Sequence, residues 1–521
     1  MEINLPTLDR TKRNELVILI LCLLIGFVLR FYTFDKKSLW LDEIYTFNDS
    51  RDGLKEQLKL YKEKPNYLQA PLFPLLDHLF YPFTKPERDL RIIPLIFGTL
   101  SIPMVYFLSR LFSAGIAVPC TISLTFMAYH ISLSQEGRSY SLLMFLGMAG
   151  LYFFMKHLKT SNKVYLIGVA LPFATLFHTS YSSIPFIILS QILWFYQINE
   201  DHKKSVLSSF LILNGLILLL CLPWVLFLAS NYKGQPFTIP LRQGLDSFWS
   251  ILYGIFHDWV PHAPLMIVSI ILFILFPILP NFRGNALVLL GAFILPIGGL
   301  YLYCRLLNVT HFITSRYFIN LLPLFFVTLY LSLTATEDKF KRIKRFMRLR
   351  LLFIILFVAS NLVILPFYYR SEKQDLKGLV TYLKGQLKDG DRIAVGTELY
   401  IPGMLHYFGV YPRGRLYLLP SWKVSEKETE CKVSLVMQGK IFTIFYSKTE
   451  WVRCIKEGNR LWVVVNKITA ERINEDSSYI LKGYFDGSFL NFNRFPIDAS
   501  MYLFLRDPQS PDEKGIDMPI E

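Results

Sequence analysis

Apolar positions in this chain come mostly in unbroken runs, without the strict alternation of half-buried strands. The runs at 16–34, 116–133, 206–228, 264–280, 286–304 and 351–366 carry almost no charge. Each is about long enough to cross ~30 Å of hydrocarbon as a helix rising 1.5 Å per residue. Read coarsely, the whole pattern predicts about eleven spans. They lie at 16–34, 91–109, 114–132, 139–156, 164–179, 182–198, 206–228, 264–280, 286–304, 317–335 and 351–367. The stretch 35–90 is different, because Pro65, Pro71, Pro74, Pro82 and Pro86 interrupt it and its apolar part, 68–83, holds Asp77 and His78. It predicts helices lying on the membrane surface. A further such helix is expected at about 243–257, ahead of Pro261.

Beyond 367 the pattern changes. Helical spacing at 375–387 and 400–408 mixes with strand-like content at 392–396, 416–419, 441–446, 461–465 and 501–505. The expected fold class is therefore a polytopic α-helical membrane protein with about eleven transmembrane helices and a small α/β C-terminal domain. Residues 1–367 would form the membrane domain with outer loops 35–90 and 229–263, and 368–521 the α/β domain.

Composition narrows the class. With 53% hydrophobic and 18% charged residues over 521 positions, a soluble enzyme, a disordered chain and a disulfide scaffold are excluded. The net charge of +15 would suggest nucleic acid on a soluble protein, but residues 368–521 hold 22 Lys+Arg against 20 Asp+Glu. The excess thus sits in the membrane part, in short loops at 10–13, 156–163, 203–204 and 339–350. Placing these inside by the positive-inside rule gives a multi-pass plasma-membrane (inner-membrane) protein with a cytoplasmic N-terminus and an extracytoplasmic tail. The basic run at 336–350 reads as an inner anchor meeting anionic lipid. The first apolar segment is too long for a signal-peptide core and no small-residue cleavage site follows it, so it is expected to remain as an anchor. Cys22, Cys120, Cys221 and Cys304 lie in or near spans and read as packed free thiols. Cys431 and Cys454 lie in the outer domain, where a disulfide is chemically allowed.

On this topology several reactive side chains face outward. Asp42 and Glu43, flanked by Trp40 and Tyr45, could supply a general base or could simply begin a solvated helix. Arg138, in Ser134-Gln135-Glu136-Gly137-Arg138-Ser139-Tyr140, and Arg316, in Thr314-Ser315-Arg316-Tyr317, could hold a lipid-linked phosphate or snorkel to headgroups. His178, Tyr140 and Tyr317 read locally as interfacial or packing residues that share this face. A pore or transporter would place ionisable groups at the midplane instead. The chain has no GxxxxGK[ST] or GxGxxG motif. Asp389-Gly390-Asp391 has an Asp-x-Asp form, but its position between a helix and a strand reads as a turn.

These pieces resemble the GT-C membrane glycosyltransferases, and among them the bacterial relatives of protein O-mannosyltransferases and of the lipid A aminoarabinose transferase. The resemblance rests on Leu39-Trp40-Leu41-Asp42-Glu43, Ala70-Pro71-Leu72, the 134–140 motif, His178-Thr179-Ser180-Tyr181, Ser315-Arg316-Tyr317-Phe318 and Asp375-Leu376-Lys377. One departure is Gln69-Ala70-Pro71-Leu72, where relatives often show a His-Pro-Pro-Leu type sequence. The resemblance implies a polyprenyl-phosphate sugar donor and transfer with inversion to an acceptor hydroxyl on a lipid, glycan or protein. It implies Asp42 as general base and Glu43 as its orienting partner. Arg138 and Arg316 would neutralise the departing phosphate, with His178, Tyr140 and Tyr317 lining the donor pocket. No cofactor is required, though a divalent metal held by Asp42 and Glu43 stays open. A non-enzymatic flippase of polyprenyl-linked sugars, or a glycan polymerase or ligase, are the competing readings. No nucleic-acid partner is expected.

Overall fold

A computed structural model describes residues 10–63, 70–196, 203–231, 247–279, 283–306, 314–339, 348–411, 423–424, 429–488, 499–509 and 514–519. The expected strand at 416–419 lies outside the described residues.

In chain order the helices begin with α1 (Arg10–Phe31), α2 (Leu41–Ser50), α3 (Leu54–Glu63), α4 (Leu72–Asp77) and α5 (Pro86–Asp89). Next come α6 (Ile92–Phe112), α7 (Ala114–Phe126), α8 (Ala128–Leu133), α9 (Tyr140–Thr160), α10 (Val164–Thr179), α11 (Ile184–Leu189), α12 (Lys203–Ser230) and α13 (Phe248–Trp259). The series ends with α14 (Ala263–Leu275), α15 (Arg283–Leu306), α16 (Leu322–Lys339), α17 (Leu349–Arg370), α18 (Leu376–Gln386), α19 (Tyr400–Phe408), α20 (Lys448–Lys456) and α21 (Lys467–Asn474). Two compact units divide the chain. The first comprises 1–34, 58–79 and 91–366, and the second 35–57, 80–90 and 367–521. The first loop is thus shared: α2 and α5 belong with the tail and not with the spans that flank them in sequence.

Among the described residues, seven helices are long and apolar enough to cross a membrane, and four shorter apolar helical stretches, 114–126, 164–179, 181–195 and 263–278, coincide with the remaining expected spans. The protein is multi-pass. Burial sorts the spans: 94% of the 315–339 window is buried, against 11% for 206–230 and 17% for 12–31. The first is the bundle's centre, and the other two present apolar side chains to lipid.

The third expected span is broken. At Met127 ψ swings to 106°, ending α7 before α8 begins. A break in hydrocarbon is tolerable only if its freed backbone groups find partners. Arg30, fully buried on α1, donates to the carbonyls of Leu124 (2.9 Å) and Thr125 (3.3 Å), and its guanidinium also meets His130 Nδ1 at 2.9 Å. On the other side of the break, Ala128 N–H donates to Asn361 Oδ1 at 2.9 Å.

The second unit is built on a seven-stranded mixed sheet, ordered β2-β3-β4-β1-β5-β7-β6, from β1 (Arg392–Val395), β2 (Lys423–Val424), β3 (Thr429–Met437), β4 (Lys440–Tyr446), β5 (Leu461–Val465), β6 (Ile480–Phe485) and β7 (Met501–Arg506). β1 pairs in parallel with β4 and β5, and the other pairings are antiparallel. Side chains alternate across it, as the two-residue period demands. Ile393, Ile444, Trp462, Val464 and Leu503 pack on one face with α18 and α19, while Ala394, Phe445, Val463 and Phe504 face the other with α20 and α21. Cys431 belongs to the first face and Cys454, on α20, to the second; both are buried free thiols. The disulfide allowed by the sequence is therefore not formed, because the sheet separates the two side chains.

The Asp389-Gly390-Asp391 motif is a turn. Gly390 sits at φ +81°, a region that suits glycine, and Asp389 Oδ1 accepts the N–H of Ile441 at 2.7 Å. Asp391, buried, accepts from Arg460 (2.7 Å), the Trp462 indole (2.9 Å) and the N–H of Lys388 (2.9 Å).

Candidate active site

The outward motifs of the first unit are assembled from helix ends. Gln135 Nε2 donates to the carbonyls of Arg30 (3.0 Å) and Tyr32 (2.6 Å), so it caps the end of α1. Ser134 packs against Gly98, where an added Cβ would fall 2.2 Å from its hydroxyl. The 134–140 turn is thereby held against two spans, with Arg138 and Tyr140 at its close. Tyr140 is buried at the first residue of α9.

Arg316 comes to the same tyrosine from the opposite side of the sequence. Its guanidinium carbon lies 5.8 Å from the Tyr140 ring centre and 5.6 Å from that of Tyr317, within the range of a cation–π contact. Arg138 precedes Tyr140 by two residues in the turn that opens α9. Arg138, Arg316, Tyr140 and Tyr317 are thus brought together. A relay holds the short 3₁₀ turn Ser315–Leu321 that carries Arg316. Tyr129 donates to Ser315 Oγ (2.6 Å), Ser315 donates to Asp258 Oδ2 (2.5 Å), and Asp258 Oδ1 lies 3.3 Å from His257 Nδ1. Asp258 ends α13, which starts at 248; residues 243–246 of the helix expected there lie outside the described residues.

One acid joins this cluster that the sequence motifs did not single out. Asp77, at the end of α4, is completely buried, and neither of its oxygens has a hydrogen-bond partner among the described residues. Burial pushes its carboxyl well above the usual carboxylate range, only partly countered by Arg138. The signal was its place in a short apolar stretch. His178 sits elsewhere: its Nε2 lies 3.3 Å from the Leu220 carbonyl of α12, and its ring packs on Phe177.

Asp42 and Glu43 stand in the first turn of α2, in the second unit. Asp42 is partly exposed, whereas Glu43 is 1% exposed and its Oε2 accepts the N–H of Trp40 at 3.3 Å, the reciprocal half of a capping box. The other backbone donors at this entry go to the tail. Leu39 N–H donates to the Tyr407 hydroxyl (2.7 Å) and Leu41 N–H to Gln374 Oε1 (3.2 Å). Glu43 Oε2 is engaged at the helix start, and among the described residues no group of three His, Cys, Asp or Glu comes together.

The chain is a membrane protein of GT-C fold, with a helical unit whose third expected span is broken and an α/β unit, as the sequence resemblance implies. The chain is similar to ArnT from Cupriavidus metallidurans. The apo structure superposes with a TM-score of 0.54 at 9% sequence identity, over 96% of this chain and 99% of that one. The structure bound to undecaprenyl phosphate gives 0.51 at 10%, over 96% and 99%. At these identities the likeness is one of fold. No family model and no curated protein sequence matches the chain.

Proposed function

We propose that this protein is a glycosyltransferase of the plasma membrane that moves a hexosyl or pentosyl group from a polyprenyl-phosphate donor to an acceptor hydroxyl on the outer face, with inversion. The observation that carries the reading is Arg316 stacked on the buried Tyr140, whose turn also carries Arg138 two residues before it. Two guanidiniums carried by neighbouring turns at a partly apolar place suit a phosphate group. The ArnT-like fold supports the same class of donor, since the related structure contains undecaprenyl phosphate.

In this reading Asp42 takes the proton of the acceptor hydroxyl as its oxygen attacks the anomeric carbon, and Glu43 holds the helix start that carries Asp42. The bond from that carbon to the phosphate oxygen breaks, and the electron pair leaves with polyprenyl phosphate. The leaving group gains one negative charge, and Arg138 and Arg316 neutralise it. Losing one such preorganised contact typically costs ~3–4 kcal/mol of transition-state stabilisation, or about 10²–10³ in rate. His178, which the resemblance would place on the donor pocket, has its contacts on Leu220 and Phe177 and takes no part in these steps.

The test is release of undecaprenyl phosphate from a panel of undecaprenyl-phosphate sugars by the protein in lipid nanodiscs, with a crude envelope extract as acceptor and with and without EDTA. Release by the wild type, lost in Asp42→Asn and reduced about 10²-fold or more in Arg316→Ala, is expected. A carrier would translocate the donors intact and work unchanged as Asp42→Asn. Product mass separates a monosaccharide transferase from a polymerase or ligase.

A further inference from the structure

The second unit contains the candidate base. Four observations converge on the entry to α2. The N–H groups of Leu39 and Leu41 are received by Tyr407 and Gln374 of the tail, at 2.7 and 3.2 Å. Ser38 Oγ lies 3.3 Å from the same Tyr407 hydroxyl and accepts the N–H of Lys377 at 3.2 Å. The Lys373 ammonium stands 4.5 Å from the centre of the Trp40 ring. On the buried side of α2, Phe47 meets the His406 ring edge-on at 4.8 Å and Tyr411 at 5.7 Å. The first N–H groups at a helix start have no intrahelical acceptor and are normally satisfied by local side chains or water. Here an acceptor more than three hundred residues away in sequence takes one of them, the N–H of Leu41, and a second takes the N–H of Leu39 just before the N-cap Trp40. Helix α2 is only ten residues long, too short to hold its own direction.

We infer that Gln374 and Tyr407 are positioning residues for the Asp42 carboxylate, so that the α/β tail acts as the rigid platform of the base. The inference rests on the reading of Asp42 as general base. Gln374 and Tyr407 act through the backbone immediately before Asp42 and fix where its carboxylate points. A shift of about 1 Å at a reacting group can cost on the order of 10²-fold in rate. A tail that merely covered the protein or selected the acceptor would not need to take up the N–H groups at the entry to the base-bearing helix.

The experiment uses the full chain in nanodiscs with the panel of undecaprenyl-phosphate sugars. It compares Asp42→Asn, Tyr407→Phe, Gln374→Met and Gln374→Glu, with Arg453→Ala on the exposed face of α20 as a control. Tyr407→Phe and Gln374→Met are expected to lower kcat about tenfold each while the KM for the donor stays unchanged. Gln374→Glu restores an acceptor for the Leu41 N–H and should recover most of the loss. It also adds a carboxylate among Lys373, Asp375 and Lys377, so the acid limb of its pH–rate profile should move to higher pH. If Asp42→Asn is inactive while Tyr407→Phe and Gln374→Met keep wild-type kcat, the positioning role is overturned and the base stands. If Asp42→Asn is as active as wild type, the base itself is overturned. Losses that Glu does not rescue, or that come with a changed donor KM, also overturn the inference, because they mark a general loss of fold.

Discussion

Replacing Asp391 with alanine removes the acceptor that ties together the centre of the α/β unit. Its carboxylate is 1% exposed and meets Arg460 at 2.7 Å, and it also serves the Trp462 indole and the Lys388 N–H. Breaking a buried pair on one side costs about 3–5 kcal/mol, chiefly because the remaining partner is left uncompensated. Arg460 keeps a second acceptor in Asp507 at 3.0 Å, so the expected loss is at the lower end, about 3 kcal/mol. For a unit of this size that lowers the melting temperature by about 6–12 °C. Labelling by a water-soluble maleimide, read site by site by mass spectrometry while the protein is warmed in nanodiscs, reports this unit specifically. Cys431 and Cys454 are its buried thiols and become reactive when the sheet opens. Asp391→Asn, which keeps an acceptor for the indole but loses the charge, should fall between wild type and alanine. Were Asp-x-Asp here a metal site, Asp391→Asn would change the response of transfer to EDTA without moving the labelling transition. Unchanged labelling temperatures in Asp391→Ala would refute the structural account.

Two further expectations follow from buried groups. His406 is 7% exposed, and burial, opposed by Glu87 and reinforced by Arg51 and Lys377, pushes its pKa down to about 4. The unfolded chain takes up that proton near pH 6.5, so stability is lost as pH falls from about 6.5 to about 4, by roughly 3 kcal/mol; maleimide labelling of Cys431 against pH should show the slope, and His406→Phe should flatten it. In the spans, Arg30→Leu leaves the Leu124 and Thr125 carbonyls orphaned at the Met127 break, at about 1–3 kcal/mol each; a thermal melt in detergent equal to wild type would show that the break does not depend on Arg30.

Hydrocarbon writes its demands directly into sequence, and that is why the membrane part was legible. Length and continuous apolarity are required of each span, and the expected segments coincide with apolar helices down to the short ones. The break at Met127 was not legible, because no glycine or proline marks it and its compensation comes from Arg30 and Asn361, remote in sequence. Strand β6 was missed for a different reason: Lys482 and Gly483 interrupt its apolar pattern, and its pairing with β7 slips in register there. Strand β3 does carry the two-residue alternation of a half-buried strand, with Lys432 and Ser434 between Cys431, Val433 and Leu435, so it was legible in the sequence though not among the expected strands. In the candidate site, the motifs led to Arg138, Arg316 and Tyr140, whereas Asp77 and Asp258 act through neighbours that only the fold supplies.

The least legible feature is the ownership of α2. Leu41–Ser50 follows the first span by a few residues and reads as part of the membrane loop, yet Ile44 and Phe47 contribute to the core of a unit most of whose members lie after residue 367. Periodicity within ten residues reveals that a helix has an apolar face but not which surface covers it. The proposed chemistry is accordingly divided between two folding dependencies. The arginines are set by spans that form as the membrane part packs, whereas the general base is set by a helix that has its buried partners only when the α/β unit is folded. Opening that unit, as Asp391→Ala favours, withdraws the base while leaving the arginines and their phosphate site in place. Loss of turnover with retained donor binding is therefore the signature that separates damage to the tail from damage to the spans.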